Sequence, residues 1–434
     1  MHGDTSIGRI LQNTVWLLTG KGVGAVLSLF YLAIVTRTLG PSGFGQFALI
    51  LSTAQAIGII VSFETWQIIV KFGQEHVQSG DSGRFGRLLT FCIAIDLCGA
   101  LVGCLIAAAA VFLLSPYFDW SRETGLQIIA FCAIMLITIR STPMGILRLF
   151  DRFDAGALAE TMVPVGRMIG AVIAWLVQPD VTAFLIAWAC AELLCATTYW
   201  TLALMTARRR MGRWNGRRFL STPRENTGIL GFLAATNVST SVSGLTRQLS
   251  VLLVGFFTGA AGAGLYRLAY QLSASLAKIS GLLSRTIFAE LAKVHVSQSG
   301  KDLRKLFRRT NRLAIIAGGV IIALILLLGK PLLLLMAGPE FLGAYPLLLL
   351  LGIAASIDLV GVSYEPLLMA TNHARVSVAI KLVNAVLLLG LLAALLPNFG
   401  PVGAALATVA VSVVGFLFMG AFARKYAGQV READ

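Results

Sequence analysis

Charge is what this sequence has least of. Only 13% of its 434 residues are Asp, Glu, Lys or Arg, about half the share of a water-soluble domain. Apolar residues make up 57%, and the mean hydropathy is +0.82. No single core in a chain of this length could hide that much apolar surface, so lipid has to be the solvent. Cysteine and histidine are also thin. The six cysteines, Cys92, Cys98, Cys104, Cys132, Cys190 and Cys195, fall inside apolar stretches with no CxxC pair. They read as small buried hydrophobes rather than ligands or bridges. The four histidines, His2, His76, His295 and His373, are scattered through ends and loops, so no metal cluster is expected. Alternation of apolar and polar residues is missing, which argues against a transmembrane β-barrel. A cleavable leader is not expected either. Residues 1–10 are polar, and the apolar stretch that follows runs to Val35 with no small-residue cleavage site.

What the chain does have is apolar runs of about 20 residues, each long enough to cross a bilayer as a helix. They fall near 12–36, 44–70, 88–114, 124–147, 156–177 and 181–206, then 228–257, 262–290, 311–329, 343–369, 376–396 and 400–422. Breaker signals separate them, such as Gly40-Pro41-Ser42, Gln178-Pro179-Asp180, Ala337-Gly338-Pro339 and Pro397-Asn398. The net charge of +15 would suit nucleic acid in a soluble protein. Here the charge sits in short connectors, so no nucleic-acid partner is expected. Clusters such as Arg208, Arg209, Arg210, Arg213, Arg217, Arg218 and Arg224 share one set of connectors with Lys293, Lys301, Arg304 and Lys305. The opposite set carries only Arg37, Arg122 and Lys330. That asymmetry predicts cytoplasmic basic loops and both termini in the cytoplasm, which requires an even number of spans. The outer connectors are too short for a catalytic domain, so an enzyme is not expected.

The two halves repeat. The first span exits through Gly40-Pro41-Ser42-Gly43-Phe44-Gly45-Gln46-Phe47, and the seventh through Gly259-Ala260-Ala261-Gly262-Ala263-Gly264-Leu265-Tyr266. Both read G-x-x-G-x-G-x-[Phe/Tyr], at an offset of 219 residues. Neither copy follows a strand or precedes a Walker lysine, so nucleotide binding is not implied. Six spans per half enter the membrane the same way up. The fold class is therefore all-α integral membrane, about twelve helices in two six-helix lobes related by a parallel pseudo-two-fold repeat. The expected division is a lobe over 1–206, a basic cytoplasmic linker over 207–227 and a second lobe over 228–434.

At this junction the sequence resembles the polysaccharide transporters, the lipid-linked oligosaccharide or O-unit flippases. These belong to the multidrug/oligosaccharidyl-lipid/polysaccharide exporter superfamily. The resemblance is carried by RTLGPSGFGQFALILS over 37–52, RLFDRFDAGALAE over 148–160 and TGAAGAGLYRLAYQLS over 258–273. It implies a bacterial inner-membrane protein that moves undecaprenyl-diphosphate-linked oligosaccharide from the cytoplasmic to the periplasmic leaflet. Surface polysaccharide, O-antigen or exopolysaccharide, would be the destination. It further implies alternating access driven by an ion gradient or membrane potential, and no cofactor beyond a coupling ion, H+ or Na+. Partners would be the lipid-linked glycan and membrane lipids, with contact to polysaccharide polymerase machinery left open and a monomer expected. A multidrug or metabolite cation antiporter of the same superfamily is the alternative reading. A membrane glycan polymerase or ligase ranks below it.

An ionised side chain at mid-bilayer costs about 2.5–3.5 kcal/mol, so those present face a cavity or a partner. Guanidinium suits a diphosphate because its planar fork binds two oxygens at once. The candidate diphosphate cations are Arg247, Arg267, Lys21, Arg140, Arg167 and Arg285. Each has a plainer reading: Lys21 could snorkel, Arg140 and Arg285 could serve topology, and Arg167 could pair with Glu160 two turns earlier. Hydroxyl and amide groups on the seventh span, Asn237, Thr246 and Gln248 among them, are candidates for the glycan. Glu64 and Asp96, then Asp358 and Glu365, are the candidates for ion coupling, with arginine pairing as the structural alternative.

Overall fold

The computed structural model describes residues 4–115, 121–212, 214, 216–293, 300–362, 364 and 374–429. Within these, the side chains of 4–21, 23, 114, 235, 238–240, 243, 278–293, 300–310, 374–375 and 423–429 are outside the description. Every regular element among the described residues is helical. The first half comprises α1 Asp4–Val61, α2 Thr65–Gln78, α3 Ser82–Leu114, α4 Arg122–Ile137, α5 Ser141–Leu149, α6 Phe153–Val177 and α7 Val181–Met211. A short α8, Thr222–Glu225, leads into α9 Ile229–Lys293, α10 Gly300–Met336, α11 Tyr345–Val360 and α12 Ala374–Gln429.

Three of these helices are too long to be single spans. At 58, 65 and 56 residues, α1, α9 and α12 are each two to three times the length a bilayer needs. Each is broken at one glycine in the left-handed region: Gly40 at φ 64, Gly259 at φ 73 and Gly400 at φ 55. Only glycine adopts that φ without strain. The chain reverses there. Beyond Gly400, a Cβ on Gly403 would stand 2.5 Å from the Leu395 carbonyl oxygen. In an unbroken helix those residues would lie about 12 Å apart along the axis. The three broken helices therefore hold two spans each. With α2 completing span two, and α4 and α5 together forming span four, the described residues make up six spans in each half, twelve in all.

The repeated glycine motifs meet each other. A Cβ on Gly45 would collide with the Ala260 carbonyl oxygen, and one on Gly264 with the Pro41 carbonyl oxygen. Pro41 and Ala260 are equivalent positions of the two motifs, as are Gly45 and Gly264. A contact in which each copy presents the same atoms to the other is what a two-fold axis generates. The repeat seen in the sequence is thus a physical pseudo-symmetry, closed by backbone lying against backbone.

By contacts the chain forms two compact units, Met1–Leu39 with Ile50–Gln248, and Gly40–Leu49 with Leu249–Asp434. The glycine contact lies wholly within the second. In the first, α2, α3, α5, α6 and α7 share a core around Ile68, Phe85, Cys92, Ile146 and Tyr199. The basic linker is not a free tether. Asn226 Oδ1 lies 2.9 Å from His76 Nε2, Arg87 Nε donates to both Glu225 oxygens at 2.9 and 3.1 Å, and Thr222 is fully buried.

Gly45→Ala or Gly264→Ala should lower stability by about 1–3 kcal/mol or abolish folding, because overpacking against a backbone carbonyl has no side chain to yield. Gly390→Ala, with nothing within 4 Å of the added methyl, should be neutral or stabilising. Thermal denaturation in detergent compares the three.

Candidate functional site

Two spans of the first unit are discontinuous. Span two loses helical geometry over 62–64, and span four over 138–140. In lipid, a break frees backbone donors and acceptors that the protein itself must satisfy. Side chains from neighbouring helices do so. Asn237 Oδ1 accepts the Glu64 N–H at 3.0 Å, and Ser141 Oγ accepts the Trp66 N–H at 3.1 Å. Trp200 Nε1 donates to the Ile139 carbonyl at 2.9 Å. The restart of span four is written locally as Ser141-Thr142-Pro143, hydroxyl residues followed by a proline whose missing N–H costs nothing in a first turn.

The half-helices α2 and α5 begin side by side, and Asp96 of α3 joins them. Its Oδ2 accepts the Thr142 hydroxyl at 2.7 Å and the Thr65 hydroxyl at 3.0 Å, while the two hydroxyls lie 3.2 Å apart. The Thr142 backbone N–H also bonds this carboxylate. Glu64 sits in the break itself and accepts a bond from Trp66 Nε1. Threonine hydroxyls and an indole, rather than an arginine, are the partners of these two acids.

Arg140, immediately before α5, reaches α7. Its Nη2 is 2.7 Å from Glu192 Oε2, and its Nη1 is 3.6 Å from Cys195 Sγ. Arg167 of α6 binds the other Glu192 oxygen, Oε1, and stacks 3.3 Å over the Trp188 ring. Trp188 in turn meets Tyr31 edge-on at 5.8 Å. On α7, Trp188, Glu192, Cys195 and Tyr199 recur at helical spacing and so form one stripe. The Glu192 side chain is 2% exposed, against 31% for Arg140 and 21% for Arg167. The carboxylate is thus more deeply buried than the two arginines that bind it, and the net positive charge of the trio suits an anion.

The Glu160–Arg167 pair that sequence allowed is not formed. Glu160 accepts the Tyr199 hydroxyl at 2.9 Å instead. Seven residues along one helix put about 10 Å of rise between two side chains, whereas α7 brings Glu192 directly alongside. Of the candidates named from sequence, Asn237, Glu64 and Asp96 gather around the two breaks, while Arg140 and Arg167 share Glu192, and the two sets are joined through the chain between Arg140 and Thr142. Thr246 Oγ1 bonds the Val242 carbonyl of its own helix, Gln248 is buried and Arg247 is exposed. In the second unit, Arg267 is half-buried on α9, and Asp358 of α11 is hydrogen-bonded by Ser412 of α12. Glu365 and the side chains of Lys21 and Arg285 lie outside the described residues. Among the described residues no cluster of metal-ligand type occurs. Sequence reading gave no site role to Glu192, Trp188, Thr65, Ser141, Thr142 or Trp200. The available signals were an acid, Glu192, within an apolar span and a helix-start pattern, Ser-Thr-Pro, inside another.

The model of the family described as polysaccharide biosynthesis protein matches residues 10–288, well over half of the chain. The protein belongs to that family. A curated relative is the inner membrane protein YghQ of Escherichia coli (strain K12), 28% identical over 355 residues, covering 80% of this chain and 97% of YghQ. Together with the twelve spans, this makes the present family member a multi-pass inner-membrane protein. Its fold is similar to a multidrug resistance MATE family transporter of the MOP superfamily in an inward-facing conformation. That match has a TM-score of 0.69 at 12% identity, over 92% of this chain and 95% of the other. It is also similar to the lipid II flippase MurJ in an inward closed conformation. There the TM-score is 0.65 at 15% identity, over 93% and 86% of the two chains.

Removing both arginines strands a buried carboxylate. Arg140→Ala/Arg167→Ala should cost about 3–5 kcal/mol of stability, as breaking a buried ion pair does. Adding Glu192→Gln to that double variant should recover a large part of the loss, measured by thermal denaturation in detergent.

Proposed function

We propose that this family member is a membrane transporter that flips an undecaprenyl-diphosphate-linked oligosaccharide from the cytoplasmic to the periplasmic leaflet during surface polysaccharide synthesis. The observation that carries the reading is the pair of guanidiniums sharing one deep carboxylate, Arg140 and Arg167 on Glu192. Two cations on one anion leave the trio net positive, and both arginine side chains are more exposed than the carboxylate they share, with Arg140 at the edge of a helix break. Discontinuous spans in transporters mark binding sites, because freed backbone there lines a cavity instead of facing lipid. A diphosphate is the substrate group that such a site complements. The family description and the folds of the two solved relatives support transport of this kind. O-antigen and exopolysaccharide are the destinations in view, with alternating access driven by an H+ or Na+ gradient or the membrane potential. Both termini face the cytoplasm, as the loop charges require.

Deleting the gene tests this directly. Lipid-linked glycan should accumulate on the cytoplasmic side and surface polysaccharide should fall, with complementation by wild type. Normal export in a strain without a paralogue would sink the reading. Export of cationic drugs by the purified, reconstituted protein would favour the antiporter alternative. In the complemented strain, Arg140→Ala and Arg167→Ala should each reduce export about tenfold, the worth of one charge-assisted contact, at unchanged protein abundance.

A further inference from the structure

Asp96 stands at the meeting point of both helix breaks, and the ion-coupling role considered for it does not explain its geometry. A coupling carboxylate has to exchange partners with a cavity. Asp96 is 8% exposed, and three donors converge on it: two threonine hydroxyls, one from the first turn of each half-helix, and the Thr142 backbone N–H. The first-turn N–H groups of a helix have no partner within their own helix, and a carboxylate that accepts them acts as an N-cap. For α5 that cap comes from another helix. The residue before α5 supplies none, since Arg140 makes no side-chain cap hydrogen bond. Ser141 Oγ, from the same turn, caps Trp66 N–H of α2 in the same manner.

We infer that Asp96 is a positioning residue, the pin that holds the two broken spans together at their restart points and thereby fixes where Arg140 stands. Arg140 lies two residues before Thr142, at the position from which α5 starts. From that non-helical position its guanidinium reaches Glu192. Releasing Thr142 from Asp96 would let span four heal toward a continuous helix or drift from α2. Either change carries Arg140 off Glu192 and away from Arg167. Asp96 would then act on anion binding through Arg140, without touching the anion. This assignment rests on the reading of Arg140 and Arg167 as the diphosphate site, but the pin itself can be measured without any ligand.

Hydrogen–deuterium exchange on the purified full-length protein tests the pin. Asp96→Ala should speed exchange in both 62–68 and 138–146, and unchanged exchange in either segment would overturn the proposal. Binding of farnesyl diphosphate, with farnesol as the uncharged control, tests the consequence. Asp96→Ala and Arg140→Ala should each weaken binding about tenfold. The double variant should be no weaker than Arg140→Ala alone, because both changes remove the same contact. Losses that multiply would show Asp96 acting independently of Arg140 and would overturn the proposal. Asp96→Asn retains an oxygen that accepts both hydroxyls, so it should restore most of the binding lost in Asp96→Ala. An Asn variant as impaired as the Ala variant would point to an ion carrier instead. If wild-type protein binds farnesyl diphosphate no better than farnesol, the diphosphate reading fails, and the exchange measurement still decides the pin.

Discussion

Lipid offers no hydrogen bonds, so each backbone N–H and C=O within the membrane must find its partner inside the protein. That constraint makes almost every described residue helical, and it gives each departure from the helix a specific side-chain remedy. At the tight turns the remedy is glycine, whose left-handed φ at Gly40, Gly259 and Gly400 lets the chain reverse in a few residues. At the two interior breaks the remedy is borrowed. Asn237, Ser141, Trp200 and Asp96 replace the missing ladder partners, and all four come from a span other than the one they serve. The breaks are therefore built features, because a span left open without such partners would incur several kcal/mol per exposed group.

The same economy governs charge. Glu192 is nearly inaccessible, and a lone carboxylate there would be prohibitive. Two arginines from separate elements neutralise it, and the result is a surplus of positive charge rather than a balanced pair. Trp188 adds a π face beneath Arg167, which orients the guanidinium without using its N–H groups. Positive surplus, partly exposed arginines and a neighbouring break occur together in the first unit, where the sites considered from sequence had been spread along the whole chain.

The glycine motifs show how far a sequence pattern can be trusted. Two G-x-x-G-x-G-x-aromatic stretches could recur by chance in a chain with 44 glycines. Their mutual contact explains the third glycine of each copy. At Gly45 and Gly264 the other copy's carbonyl occupies the space of a side chain. A constraint of that kind acts on the pair, so it holds both copies to the same residue type.

Span number, helical class, the internal repeat and the polar character of the connectors were all legible in the sequence, because each follows from local composition. An apolar run of sufficient length has one stable form in a bilayer, and charge placement follows from the same partitioning. The pairing of Arg167 was not legible. Sequence proximity favoured Glu160 on the same helix, whereas the packing of α6 on α7 supplied Glu192. Nor could the sequence show that Thr65 and Thr142, 77 residues apart, share one carboxylate. Hydropathy reports how each residue partitions between water and lipid. Which polar groups meet is decided by how the helices pack, and that is settled only when the whole bundle satisfies its buried donors and acceptors at once.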